Sequence, residues 1–248
     1  MQHKSTNTNK TALLAKVVRD SGLCSRRDAR TLIDAGRVKV NGTIVYSPCF
    51  KIVKTDIVVL DGKKLISSSP QPVELWLYHK PTGLITTHKD PQMRKTVFDN
   101  LPKGIISIGR LDLNSSGLLM LTNSGDFSRF MELPKNKLTR IYKVRAFGKL
   151  DPDALTKLEQ GCTIDGVKYG KAAIKVLKSS KINHWLQIDL QEGKNREVRK
   201  LLASVKLTVT KLIRIQYGPF SLGNLKIGEV KQTTIPRYLY ENFMSSFV

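Results

Sequence analysis

The sequence predicts an α+β protein in two parts: a small module of two helices and short strands, then a larger domain on a mixed, largely antiparallel β-sheet flanked by helices. Three observations lead there. Strand-like runs dominate and do not alternate regularly with helical ones, the pattern of α+β rather than α/β chains. The 248 residues exceed what one small core needs. At 67–73, SSSPQPV has three Ser, two Pro and no charge, and it breaks both helical and strand periodicity. The expected organisation is a tail at 1–10, a first domain at 11–66, a linker at 67–73 and a second domain at 74–248.

In the first part, ALLAKVVRDSG spaces Leu13, Leu14, Val17 and Val18 as a helix with Gly22 as its stop, and Ser25 then caps a second helix, RRDARTLIDAG. Ala29, Leu32 and Ile33 form its apolar stripe, with Arg26, Arg27, Arg30 and the following Arg37 beside it. Those cations are either a phosphate-facing set or an ordinary solvated helix face. VKVNGTIV alternates around Asn41-Gly42, a strong two-residue hairpin signal, and DIVVLDG adds a strand.

The second part opens with ELWLYHKPTGLITT, read as two strands, one with Leu75 and Leu77 and one with Leu84 and Ile85, joined by Lys80-Pro81-Thr82-Gly83. RIYKVRAFG is a strand expected to turn Ile141, Val144 and Ala146 one way and Arg140, Lys143 and Arg145 the other. DPDALTKLEQG is a helix with Asp151 as cap, Pro152 at its first position and Gly161 at its end. VKYGKAAIKVL and HWLQIDLQEG are strands. NREVRKLLASVKL is a helix with Val198, Leu201, Leu202 and Val205 on one face and Arg196, Arg199 and Lys200 turned partly away; LIRIQYGPF is a closing strand. No internal repeat is visible.

Charge narrows the function. There are 42 Lys plus Arg against 20 Asp plus Glu, a net +22, which calls for a polyanionic partner, nucleic acid first. The excess is spread: +8 at 1–66 (13 against 5) and +14 at 67–248 (29 against 15). No apolar run approaches the ~20 residues of a membrane span, and the polar start MQHKSTNTNK does not read as a signal peptide. Cys24, Cys49 and Cys162 suggest neither disulfide framework nor CxxC site, which fits a reducing cytoplasm. His3, His79, His88 and His184 have no ligand spacing. Neither metal nor cofactor is expected, and the chain is expected to act as a monomer.

The most informative segment is Gly109-Arg110-Leu111-Asp112 in IGRLDLNSSGLLMLTNSGD. The run Ile105, Ile106, Ile108 reads as one strand and LLMLT as another, so DLNSSG is a loop on a rigid support, where function concentrates. With Leu111 inward, Arg110 and Asp112 share the opposite face. An ordinary turn, in which Asp112, Asn114 and Ser115 bond their own backbone, explains the same residues equally well.

Residues 13–63, with the pattern SRxxAxxLIxxGxVxVNG, look like the S-four-type RNA-binding domain, which implies two helices laid on structured RNA with phosphate contacts from the basic face. The ordered segments KPTGLITTHKD, TVFDNLP, GRLDLNSSGLLMLTNSGD, RIYKVRAFG, LQEGKNREVRKL and LIRIQYGPF resemble the ribosomal RNA pseudouridine synthases of the RsuA family, most of all its RluB branch, which modifies large-subunit RNA. The resemblance implies conversion of uridine to pseudouridine without metal or nucleotide. It makes Asp112 the catalytic aspartate, Tyr142 the residue that stacks on the target base, and Arg214 the basic partner of the aspartate. A stacked uridine must flip out to react. Arg110 matches the family arginine that fills the vacated place, although adjacency alone admits an ion-pair role with Asp112. Lys80, Lys194, Arg196 and Arg199 are candidate RNA contacts. The chain departs from the family at His79, where Asn precedes Lys-Pro, at Lys206, where Gly is common, and at Glu132-Leu133-Pro134, where His-Pro is usual. The rivals are a synthase for small-subunit RNA, a non-catalytic RNA-binding assembly factor, and an aspartyl-phosphate phosphatase. The last lacks a second acid at Asn114.

Overall fold

The computed structural model describes residues 11–21, 24, 26–53, 55–65, 72–102 and 104–246. The expected tail at 1–10, the stop at Gly22, the cap at Ser25 and linker residues 67–71 lie outside the described residues. The chain divides into two compact units, Met1–Pro72 and Val73–Val248.

The first unit runs β1 (Ala12–Leu13), α1 (Leu14–Asp20), α2 (Arg26–Asp34), β2 (Val38–Val40), β3 (Thr43–Ile44), β4 (Lys51–Ile52), β5 (Val58–Leu60) and β6 (Lys63–Leu65). Four of these strands form one sheet in the order β3-β2-β5-β6, while β1 pairs with β4. Asn41 (φ 50°) and Gly42 (φ 85°) both take the left-handed conformation that a two-residue hairpin requires, and Asp61 (φ 49°) with Gly62 (φ 78°) repeats the device between β5 and β6. Leu14 and Val18 from α1, Ala29 and Ile33 from α2, and Val38, Val40, Val58 and Leu60 from the sheet make its core.

The second unit runs β7 (Leu75–Lys80), β8 (Ile106–Ile108), β9 (Ser116–Thr122), α3 (Gly125–Glu132), a 3-10 turn (Pro134–Asn136), β10 (Arg140–Phe147), α4 (Pro152–Glu159), β11 (Cys162–Ile164), β12 (Val167–Tyr169), β13 (Ala172–Ser179), β14 (Asn183–Leu190), α5 (Glu197–Ser204), β15 (Thr208–Tyr217), β16 (Phe220–Ser221), β17 (Val230–Thr233) and α6 (Arg237–Ser245). Nine strands form one sheet along β13-β14-β10-β15-β9-β7-β17, with β16 on β15 and β8 on β9. Every ladder is antiparallel except β9 with β15. The sheet is therefore mixed and largely antiparallel, with its parallel joint near the middle.

β9 is buried on both faces. Leu119 and Leu121 enter a core shared with α4 and α5, while Leu118 and Met120 enter a second core shared with α3 and α6. This is why LLML is an unbroken apolar run rather than an alternating one. At α4 the Asp151 side chain accepts from the amides of Asp153 and Ala154, with Pro152 first in the helix, as the capping residues require.

Three local expectations are corrected. Leu84 and Ile85 form no strand: both edges of β7 are taken by β9 and β17, and Ile85 makes only an isolated bridge to Thr96. VKYGKAAIKVL is two strands, with β12 paired to β11 in a separate ribbon. Arg140 is buried with Tyr142, Val144 and Ala146, and Ile141 shares the other face with Lys143 and Arg145, because positions two apart on an alternating strand point the same way.

Candidate active site

The GRLD segment leaves β8 and crosses to β9 as a loop fixed from several sides. Gly109 takes φ 69°, and its amide donates to Glu132 Oε1 (2.9 Å), which also accepts from Ser128 on the same helix, α3. Leu111 is buried, and its carbonyl accepts from the Thr86 hydroxyl at 2.9 Å. The amide of Ser115 closes a turn on the Asp112 carbonyl (3.0 Å), and the amide of Gly83 donates to Leu113 (2.8 Å). Arg199 on α5 donates to the carbonyls of Asn114 (2.9 Å) and Val209 (3.1 Å), tying the far side of the loop to β15.

Lys80 completes the support and corrects its expected role. It is 0% exposed, and its ammonium donates to the carbonyls of Pro81 (2.9 Å), Asp112 (3.2 Å) and Ser115 (2.9 Å). With all three donors used inside the protein it holds the loop rather than an RNA phosphate. Burial pushes its pKa down to about 8, against the opposing pull of the Asp112 charge.

Above this loop lies a pocket of about 500 Å³ whose wall includes Arg110, Asp112, Tyr142, Lys194, Arg196 and Arg214. The volume suits a small-molecule-sized guest such as a nucleoside. Tyr142 and Arg214 are directly opposed on β10 and β15, and Arg214 is in turn opposite Gly117 across the parallel joint. Arg214 is 2% exposed; its Nε donates to the Leu118 carbonyl (2.8 Å), while Nη2 is buried without a partner. Its guanidinium stands 5.2 Å from the Tyr217 ring, and that of Arg140 stands 4.4 Å from the same ring and donates to the Tyr217 hydroxyl at 2.6 Å. Burial raises the pKa of that phenol, with the two arginines opposing.

In the free protein Asp112 pairs with Arg196 rather than with Arg214. The pair runs from Nη1 to Oδ2 at 3.4 Å, a long contact between half-exposed side chains and so a weak one. Arg196 precedes α5 in the left-handed region, φ 52°, a strained conformation for a residue with a side chain. Next to it Glu197 is buried; its Oε2 accepts from the Lys194 amide (2.9 Å) while Oε1 has no partner. Burial, then the neighbouring Glu192 carboxylate, pushes Glu197 up to about 7. Lys194 donates to Glu192 (2.5 Å) and to the Lys168 carbonyl (2.6 Å), leaving one ammonium proton for a guest.

Arg199 lines a neighbouring basic groove with Arg196, Lys200 and Lys206 rather than the pocket itself. In the first unit Arg30 is exposed and pairs loosely with Asp34 (3.8 Å), and Arg37 grips Asp61 through Nε and Nη2 (2.8 and 2.5 Å). Arg26 and Arg27 open α2; their side chains lie outside what the structure describes. The residues that sequence reasoning missed are Thr86, Glu132, Arg140, Glu197 and Tyr217. Two of them had a sequence signal, Glu132 as a departure from the family pattern and Glu197 as an acid between cations in KNREVRK.

Comparison with known proteins completes the picture. The model of the RNA pseudouridylate synthase family matches residues 74–204, and that of the S4 domain matches residues 13–58. A Rickettsia felis protein named as an uncharacterized RNA pseudouridine synthase is 51% identical over 223 residues, 88% of this chain and 95% of its own. The chain belongs to the RNA pseudouridylate synthase family. This pseudouridylate synthase is also 38% identical over 219 residues to the ribosomal large subunit pseudouridine synthase B of Salmonella typhi, covering 84% of this chain and 74% of that one. A crystal structure of a pseudouridylate synthase superposes with a TM-score of 0.63 at 23% identity, over 94% of this chain and 98% of the other, and so shares the fold. The protein is an RNA-modifying isomerase with an S4 domain before its synthase domain, as its sequence motifs imply. Among the described residues no helix is long and apolar enough to cross a membrane.

Proposed function

We propose that this pseudouridylate synthase isomerises a uridine of large-subunit ribosomal RNA, with Asp112 as the catalytic carboxylate. The observation that carries the reading is the convergence of Asp112, Tyr142 and Arg214, from three distant segments, on one pocket wall. The likeness to a relative named for the large ribosomal subunit supports the RNA class.

In this reaction the N1–C1′ bond of uridine breaks, the base turns within the pocket, and a C5–C1′ bond forms. The C5 proton leaves and N1 gains one, so no oxidant, reductant or co-reactant is needed. Asp112 serves either as nucleophile toward the nucleoside or as the base in a glycal route. Tyr142 gives the flipped uracil a flat partner. The unpaired Nη2 of Arg214 holds the Asp112 carboxylate once the substrate has displaced Arg196, which removes the cost of a buried donor without a partner. Arg110, at the exposed rim, fills the place that the flipped base leaves. Arg26, Arg27, Arg30 and Arg37 on the S4 domain, with Lys194, Arg196 and Arg199, supply phosphate contacts that confer affinity more than sequence choice.

The test is pseudouridine mapping of both ribosomal RNAs from cells lacking the protein. Loss of one large-subunit pseudouridine, restored by the wild-type gene and not by Asp112→Asn, is the expected outcome. Loss from the small-subunit RNA would reassign the substrate, and unchanged maps would leave a binding-only protein.

A further inference from the structure

The face of the catalytic sheet turned away from the pocket is bare over β13, β14, β10 and the start of β15. The helices α4 and α5 pack on the opposite, pocket-bearing face, and α3 and α6 cover this face only further along, over β7, β8 and β9. Strand register defines what the bare part carries. Residues paired across a ladder share a face, so one transverse row reads Lys178, Trp185, Arg145, Lys211 and the next reads Lys175, Gln187, Lys143, Ile213. Lys143, Arg145, Lys175, Lys178 and Lys211 are all exposed. The third row contains the carboxylate of Asp189, which accepts a hydrogen bond from Gln187 at 3.0 Å.

Two features of this patch have no explanation in folding. Arg145 and Lys211 stand directly opposite each other on neighbouring strands, where like charges destabilise a sheet, and none of the five cations forms an ion pair among the described residues. A tryptophan sits in the middle of the cations, half-buried, with the Lys143 ammonium 5.2 Å from its ring centre, and Phe147 lies 47% exposed at the end of the same strand face. Self-repelling charge interleaved with aromatic rings on an open sheet is matched by a partner with a chain of phosphates and stackable bases.

We propose that this face is a second RNA-docking surface, separate from the catalytic pocket, that binds another segment of the large RNA substrate. Lys143, Arg145, Lys175, Lys178 and Lys211 engage phosphates and Trp185 offers a stacking face for an unpaired base. The charge selects RNA over a protein partner or a second copy of this chain, which would carry the same +22. The surface widens the contact with a structured RNA beyond the flipped nucleotide, and it rests on RNA being the substrate.

Two measurements on the full-length chain test it. Trp185 is one of only two tryptophans, so a Trp76→Phe variant reports its emission alone. Titration with a 23S rRNA transcript is expected to quench that emission in step with binding, and added salt to reverse it. The triple variant Lys143→Gln/Arg145→Gln/Lys211→Gln is expected to lower the slope of log affinity against log salt by about 2–3 and to weaken binding roughly tenfold or more. Its melting temperature should be unchanged or higher, since repulsion is relieved, and its single-turnover tritium release at saturating enzyme should stay within about twofold of wild type. An unchanged salt slope with unquenched Trp185 while RNA binds would overturn the proposal. Emission that responds to protein concentration rather than to RNA would overturn it in favour of self-association. Wild-type tritium release from the same transcript reports separately on the catalytic reading.

Discussion

Gly117 lies directly against the backbone of Arg214: a Cβ on Gly117 would stand 2.3 Å from the Arg214 carbonyl oxygen and 2.7 Å from its amide nitrogen. At φ 105° the position also suits glycine alone. The parallel joint that brings Arg214 beside the Asp112 loop therefore depends on a missing side chain. Gly117→Ala should cost about 3 kcal/mol or more, because both backbone strain and overlap must be relieved. For a domain of this size that lowers the catalytic unit's calorimetric transition by roughly 6–12 °C, and a transition within about 2 °C of wild type would show that the strands can part cheaply.

Lys80 acts on Asp112 through the loop backbone and is a positioning residue. Lys80→Met should lower kcat by about 10²-fold, the scale of a misplacement near 1 Å, with KM for RNA nearly unchanged. In the wild type, deprotonation above about pH 8 removes one of the three donors, so kcat should decline there, and the variant should lose that limb. A rise in KM at constant kcat would instead return Lys80 to the RNA surface.

Glu197 supplies a pH-dependent stability. Its pKa is raised from the ordinary 4.5 to about 7, so the folded chain keeps this proton where the unfolded chain has lost it. Its contribution to stability is therefore full below about 4.5 and lost as pH rises to about 7. At Glu192 burial raises the pKa, but hydrogen bonds from the Gly170 amide and Lys194 together outweigh it, so the net lowering acts in the opposite direction. The difference between wild type and Glu197→Gln isolates the group: melting temperatures measured from pH 4 to 8 should converge for the acid end and favour the variant at the neutral end. Parallel curves would mean that folding leaves the Glu197 pKa unshifted.

At the rim, Arg110→Ala should lose about 30- to 100-fold in single-turnover rate on a paired RNA hairpin, equivalent to ~2–3 kcal/mol of flipping. Part of that loss should return on an RNA whose target uridine is already unpaired. Equal losses on both RNAs would make Arg110 an electrostatic partner of Asp112 instead.

The sequence made much of this legible where local chemistry decides structure. Asn41-Gly42 marked its hairpin, Asp151-Pro152 its helix start, and LLMLT a strand, though only the two helix layers packed on it explain why its apolar run is unbroken. GRLD marked the loop that the pocket is built on. What it hid was decided by tertiary partners. Arg140 and Lys80 look like surface cations in a strongly basic chain, yet Tyr217 and the carbonyls of Pro81, Asp112 and Ser115 draw them inside. Leu84 and Ile85 have strand character, but β7 had no free edge to offer them. The Arg196–Asp112 pair joins segments that no local pattern could connect.

The most direct test of the catalytic reading separates chemistry from binding in Asp112→Asn. Tritium release from RNA labelled at uridine C5 reports formation of the new C5–C1′ bond, and filter binding reports affinity for the same RNA. The variant should lose turnover by about 10³-fold or more while affinity stays within about threefold, because the substitution removes a reactive carboxylate and none of the cations that hold phosphate. Tritium release near the wild-type rate from the purified Asp112→Asn protein would contradict the assignment of Asp112.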